Sequence, residues 1–177
     1  MSRIIGLYGE SGSGKTSLCK EISEKLSLEG RFVSGFISPA VFKGDVKVGI
    51  ETLLFPGGEH KTLARLAKAE SQLVVGKWEL FPETLAWAET ALLNQETTDV
   101  LVIDELGPLE VTQNKGWARA LDILDAGKFR LAIITFRPDF VRFFNARYPG
   151  IIQMQLGPQK APKPLPVLLD FIHSLPD

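Results

Sequence analysis

The chain has 177 residues, with 20 basic and 21 acidic side chains and a formal net charge of −1. That length suits one domain with a substantial core, and the balanced charge supplies no electrostatic drive toward nucleic acid or an anionic membrane. Cys19 is the only cysteine, which excludes an internal disulfide and a zinc cluster and leaves a small core residue as its expected role.

Arg3 to Tyr8 is a short apolar run of strand length, and Met1 to Tyr8 is too short and too glycine-interrupted for a signal sequence. No apolar stretch is long enough to span a membrane as a helix. A soluble, reducing, cytoplasmic setting is expected. Residues Gly9-Glu10-Ser11-Gly12-Ser13-Gly14-Lys15-Thr16 then fit G-x-x-x-x-G-K-[ST] at every fixed position, the Walker A phosphate-binding loop. A triphosphate carries several negative charges, so its cradle needs many donors and little bulk. Gly9, Gly12 and Gly14 free the backbone to aim successive N–H groups inward. A helix starting at Lys15 adds the unpaired N–H groups and positive dipole end of its first turn, Thr16 and Ser17 included. Lys15 is placed to reach the β- and γ-phosphates, and the Thr16 hydroxyl to ligate Mg²⁺.

That first helix is expected from Lys15 to Leu28, with Leu18, Cys19, Ile22 and Leu26 on its buried face and Gly30 beyond its end. A buried strand follows over Arg31–Ser38. Val46, Val48 and Ile50 alternate with polar or small residues after Lys43-Gly44-Asp45, which predicts an antiparallel hairpin. Phe55-Pro56-Gly57-Gly58 reads as a turn. A short helix is expected near Leu63–Ala69, a strand near Leu73–Leu80 and a helix over Pro82–Gln95. Asp99 to Glu105 is an apolar strand ending in two acids. A helix over Gly116–Ala126, a strand over Phe129–Thr135, a helix over Pro138–Arg147 and a strand over Ile151–Leu156 complete the alternation.

Strands alternating with helices predict an α/β fold, a single three-layer domain whose mostly parallel sheet carries an inserted antiparallel hairpin. Residues 1–157 form this domain. Residues 158–177 make a proline-rich arm and a short C-terminal helix, packed on the domain or extending from it.

In a parallel sheet the strand C-termini gather at one edge, beside the phosphate loop. Asp104 therefore arrives near Thr16 as the expected Mg²⁺ partner, the Walker B acid. Glu105 follows and is placed to orient or deprotonate an attacking water. Thr135 and Arg137 end the next strand at the same edge. Thr135 is a candidate donor to the γ-phosphate or the lytic water, and Arg137 a candidate charge stabiliser or clamp on the base. Glu110 is a candidate support for the Glu105 loop, whereas Arg142, Arg147, His60 and His173 read as surface residues. Asn114-Lys115-Gly116-Trp117 lacks the aspartate of the Asn-Lys-x-Asp guanine reader, so no base code is visible. Trp78, Trp87 and Trp117 are expected in the core or at an interface.

Four stretches carry a family resemblance: Gly9–Thr16, Val33–Ser38, Val75–Trp78 and Val102–Glu110, in an order and spacing that cover nearly the whole chain. The Asp-Glu-x-Gly-x-x-Glu run from Asp104 to Glu110 is the most discriminating. Together they resemble the cancer-related nucleoside-triphosphatases and their bacterial and archaeal relatives. The resemblance implies a RecA-like P-loop NTPase fold, magnesium-dependent hydrolysis of several nucleoside triphosphates, ATP and GTP among them, and a catalytic role for the glutamate at 105. Two departures stand out. Ala40 and Val41 occupy a region where the family usually has an acid, and Lys47-Val48-Gly49-Ile50 lacks the arginine often found before the second Gly-Phe.

Three activities share such a loop. The leading one is a phosphohydrolase acting on nucleoside triphosphate. A small-molecule or nucleotide kinase is the alternative, against which Gly107–Gly127 offers only Lys115 and Arg119 for a closing lid. The third is a nucleotide-binding switch with slow hydrolysis and an unidentified protein partner.

Overall fold

The structure is a computed structural model that describes residues 2–94, 98–157 and 164–175. In chain order its elements are β1 (Arg3–Tyr8), α1 (Lys15–Leu28), β2 (Val33–Ile37), β3 (Ala40–Lys43), β4 (Val46–Phe55), β5 (His60–Leu66), β6 (Val74–Val75), β7 (Trp78–Leu80), α2 (Pro82–Leu93), β8 (Thr98–Leu106), α3 (Pro108–Val111), α4 (Arg119–Ala126), β9 (Phe129–Phe136), α5 (Val141–Arg147), β10 (Ile152–Gln155) and α6 (Leu165–Ser174). They build one sheet in the order β10-β1-β9-β8-β2-β4-β5-β7-β6, with β3 paired to β4. The first five strands in that order are parallel. The remainder is antiparallel.

Period-two alternation sets the layers. In β8, Leu101 and Ile103 join a core with Phe36, Ala132, Ile134 and residues of α2, α4 and α5. Val100 and Val102, one step out of phase, join Ile5, Leu7 and the predicted face of α1, where Cys19 is fully buried. Burial pushes the Cys19 thiol pKa well up, so it stays a neutral, inert core group. Leu168, Leu169 and Ile172 of α6 complete that second core, so the C-terminal helix packs beside α1.

The antiparallel part is larger than the single hairpin the sequence suggests. The helix expected near Leu63–Ala69 is instead strand β5, laddered to β4 and β7. Sheet pairing on both sides overrides a weak helical preference there. The strand expected over Leu73–Leu80 is broken into β6 and β7 by a turn at Gly76, whose φ is 59°. The helix expected from Gly116 starts at Arg119, because Gly116 takes φ 63° and turns Trp117 into the core. A 3₁₀ turn at Pro138–Phe140 precedes α5. The short helix α3, right after the acid pair, is signalled in sequence only by Pro108 at its first position and Glu110 in its first turn. Gln95 and the proline arm at Pro158 and Pro162 lie outside the described residues.

Candidate active site

The buried strand β1 delivers the loop to the C-terminal edge of the parallel sheet, and the Tyr8 carbonyl accepts the Leu156 N–H at 2.7 Å. Gly12 and Gly14 take φ values of 82° and 91°, the left-handed region where only glycine is free of strain. Gly9 has a different reason. A β-carbon there would lie 2.8 Å from the Leu156 carbonyl oxygen, so close approach rather than an unusual dihedral demands glycine. The first helical bond of α1 runs from Leu18 N–H to Gly14 C=O at 2.9 Å. The N–H groups of Lys15, Thr16 and Ser17 are thereby left without intrahelical partners.

Lys15 is 6% exposed, and its ammonium donates to the carbonyls of Gly9 at 2.7 Å and Glu10 at 3.0 Å. Burial lowers its pKa, against the opposing pull of the Glu105 and Asp104 carboxylates. The cation is thus tied to the loop's own carbonyls.

Asp104 is fully buried. One carboxylate oxygen accepts the Ser38 N–H at 2.9 Å, and the other accepts the Thr135 hydroxyl at 2.7 Å. The Thr16 side chain is a further hydrogen-bond partner. Burial raises the Asp104 pKa, and these three donors oppose the rise. The donor set fits magnesium: a hydroxyl and a carboxylate are adjacent hard oxygens. Among the described residues no cluster of three His, Cys, Asp or Glu side chains competes for a metal. Thr135 stands behind Asp104 as its anchor, buried and away from the cavity wall.

Glu105 is positioned by a defect in the sheet. The pairing of β8 with β9 slips between Ile103 and Leu106, and Glu105 takes φ 83°. A non-glycine residue in that region costs about 1–2 kcal/mol. The strain turns the carboxylate out of the strand's alternation and into the cavity beside the loop. There it accepts a hydrogen bond from Arg137 Nε at 3.2 Å.

Glu110 fastens the segment that follows. Its two carboxylate oxygens accept the Gly107 N–H at 2.9 Å and the Trp117 N–H at 3.1 Å. Trp117 is further tied by its indole N–H to the Leu85 carbonyl at 3.3 Å. Burial raises the Glu110 pKa, opposed by these backbone donors. Glu110→Ala leaves two buried N–H groups unpaired and is expected to cost about 2–4 kcal/mol of unfolding free energy. Urea unfolding checks this; a loss within experimental error would mean that water replaces the carboxylate.

A cavity of about 460 Å³ gathers the site. Ser11, Gly12, Gly14, Lys15, Thr16 and Ser17 of the loop line one part of it, together with Glu105 and Arg137. Gly9, Glu10 and Ser13 lie in the body of the loop, and the Ser13 hydroxyl is buried without a hydrogen-bond partner among the described residues. Lys47 and Trp78 also line the cavity. Sequence reasoning missed Lys47 because it occupies a polar position of an alternating hairpin, where lysine normally faces water. Its only signal was its place near the family's missing arginine. Arg147 pairs with Asp125, and His173 with Glu29, both away from the site.

A family model described as NTPase matches residues 4–152. The nucleoside-triphosphatase THEP1 of Caldivirga maquilingensis is 33% identical over 129 residues, covering 73% of this chain and 73% of that protein. Two solved structures share the fold at 21% sequence identity. A human cancer-related nucleoside triphosphatase superposes with a TM-score of 0.78 over 99% of this chain and 100% of that one. THEP1 from Aquifex aeolicus superposes with a TM-score of 0.61 over 97% and 98%. With the match running from the first strand to the last, the chain belongs to the nucleoside-triphosphatase family.

Proposed function

We propose that this protein is a magnesium-dependent phosphohydrolase that converts nucleoside triphosphate and water to nucleoside diphosphate and phosphate, with little preference for the base. The observation that carries the reading is Glu105, held by a bulge at φ 83° beside the phosphate loop and the Asp104–Thr16 pair. A carboxylate kept there at the expense of backbone strain serves chemistry better than stability.

Thr16 and Asp104 would hold the magnesium ion, which when bound neutralises charge on the terminal phosphates. The loop N–H groups and Lys15 bind the triphosphate. Glu105 orients the attacking water and takes its proton, while Arg137, in the same cavity, fixes the carboxylate and would share charge with the transferred phosphoryl group. Thr135 and Ser38 position Asp104. The departure from a guanine-reading motif supports base tolerance. Among the described residues no helix is long and apolar enough to cross a membrane, and we place the reaction in the cytoplasm.

Lys15→Ala is expected to weaken Mg–ATP binding by roughly 100-fold or more, since it removes the buried cation and its charge-assisted hydrogen bonds to phosphate. Isothermal calorimetry on a variant with wild-type circular dichroism checks this. Unchanged affinity would remove the loop from nucleotide binding.

A further inference from the structure

The cavity does not end at Glu105. On the side of the carboxylate away from the loop its lining is apolar: Ile50 and Trp78 are partly exposed, backed by the buried Ile37, Leu63, Ala64 and Leu85. These residues come from β2, β4, β5, β7 and α2, which place this chamber across β8 from the phosphate-loop strand β1. Hydrolysis requires room for one water, whose share of liquid volume is about 30 Å³. The cavity offers about 460 Å³ in all, a volume shared between the phosphate-loop end and this apolar side. The mostly apolar lining on this side, with a few charged groups converging at one end, is that of a site for an organic ligand. Space of this kind left in a protein forfeits packing contacts that a filled core would keep.

The nucleoside is the wrong occupant. Lys15 of such a loop meets the β- and γ-phosphates, and Glu105 lies where the γ-phosphate is attacked. The nucleoside leaves from the α-phosphate, at the opposite end of the triphosphate. The chamber beyond Glu105 therefore faces the incoming nucleophile. Lys47 and Arg137 lie beside Glu105 in the same cavity. Trp78 is held by the ammonium groups of Lys47 and Lys77, 5.1 and 5.2 Å from its ring centroid. An aromatic wall beside two cations suits a flat ring whose hydroxyl reaches toward the carboxylate.

We propose that this chamber binds a small aromatic alcohol and that the site transfers the γ-phosphoryl group to its hydroxyl in place of water. The inference rests on the nucleoside-triphosphate reading given above. In the step, the alcohol O–H gives its proton to the Glu105 carboxylate as its oxygen forms the new bond to phosphorus. The bond from phosphorus to the β,γ-bridging oxygen breaks, and that oxygen leaves with the electron pair on nucleoside diphosphate. Lys47 and Arg137 balance the charge on the phosphoryl group.

The test uses the full chain with Mg²⁺, γ-labelled ATP and, separately, benzyl alcohol, 2-(indol-3-yl)ethanol or adenosine at millimolar concentration. Label in the phosphomonoester is expected to exceed the alcohol-to-water ratio of the solution by roughly 100-fold or more for at least one of these acceptors, a small part of the gain from holding two reactants together. Ile50→Phe, which narrows the chamber from a partly exposed position, and Trp78→Ala, which removes its aromatic wall, should each lower the ratio of transferred to released label by about tenfold. Normal phosphate release without excess transfer to any acceptor overturns the proposal and leaves the hydrolase reading intact. Excess transfer insensitive to both substitutions overturns the chamber as the acceptor site. Loss of nucleotide binding, release and transfer together in the wild-type chain would sink the hydrolase reading itself, and this proposal with it.

Discussion

Glu105→Gln is expected to lower nucleoside-triphosphate turnover by roughly 10²- to 10⁴-fold, the range for removing a general base. Affinity for Mg–ATP should stay within about threefold, because the loop, Lys15 and the Asp104–Thr16 pair are untouched. The substitution is nearly isosteric. The amide oxygen can still accept from Arg137 Nε, now 3.2 Å from Glu105 Oε1, and glutamine bears the same backbone strain at φ 83°. What it cannot do is take a proton. Single-turnover phosphate release beside calorimetry separates the outcomes. Wild-type release would remove Glu105 from the mechanism, and a matching loss of affinity would make it a ground-state ligand.

Gly35→Ala is expected to destabilise the fold by more than about 4 kcal/mol, a loss that few single substitutions reach. Gly35 lies in β2, paired to β4 on one side and β8 on the other, with φ 111°. A β-carbon there would overlap the Val102 carbonyl oxygen and lie 2.8 Å from the carbonyl carbon. Val102 belongs to the central strand that carries Asp104, so its backbone has nowhere to withdraw. The two strands would have to part, and with them the Ser38 N–H bond that orients Asp104. Thermal unfolding by circular dichroism measures the loss. A variant of near-native stability would show that β2 can relax, contrary to this packing.

The sequence carried the parts of the site that are local. Eight consecutive residues specify the phosphate loop, and an apolar run ending in Asp104-Glu105 specifies the second strand of the site. The parallel core followed from alternating strand and helix patterns, because burial on both faces leaves near-continuous apolar runs. What stayed hidden depends on partners distant in the chain. Residues 60–66 are a strand because β4 and β7 flank them, which no local window records. The bulge at Glu105 arises from a register slip against β9, thirty residues on. Thr135 reads as a donor to the γ-phosphate or the lytic water, and its hydrogen bond to Asp104 at 2.7 Å is not legible in the sequence. Gly9 and Gly35 look alike in sequence, yet one needs space beside Leu156 and the other both space and a left-handed φ.

The departures from the family pattern also gained meaning in three dimensions. Lys47 stands near the place of the usual arginine and still brings a cation to the cavity that Glu105 and Arg137 share. Burial lowers its pKa, opposed by the Glu105 carboxylate. Lysine supplies a point charge without the bidentate fork of arginine, a difference that favours a mobile contact over a fixed clamp.

The most direct test is phosphate release from the purified chain with Mg²⁺ and each of ATP, GTP, CTP and UTP, with Glu105→Gln in parallel. The account predicts turnover of all four nucleotides, at rates within about tenfold of one another given the missing base reader, and its loss in the variant. Tight nucleotide binding with no release from the wild-type chain would contradict it.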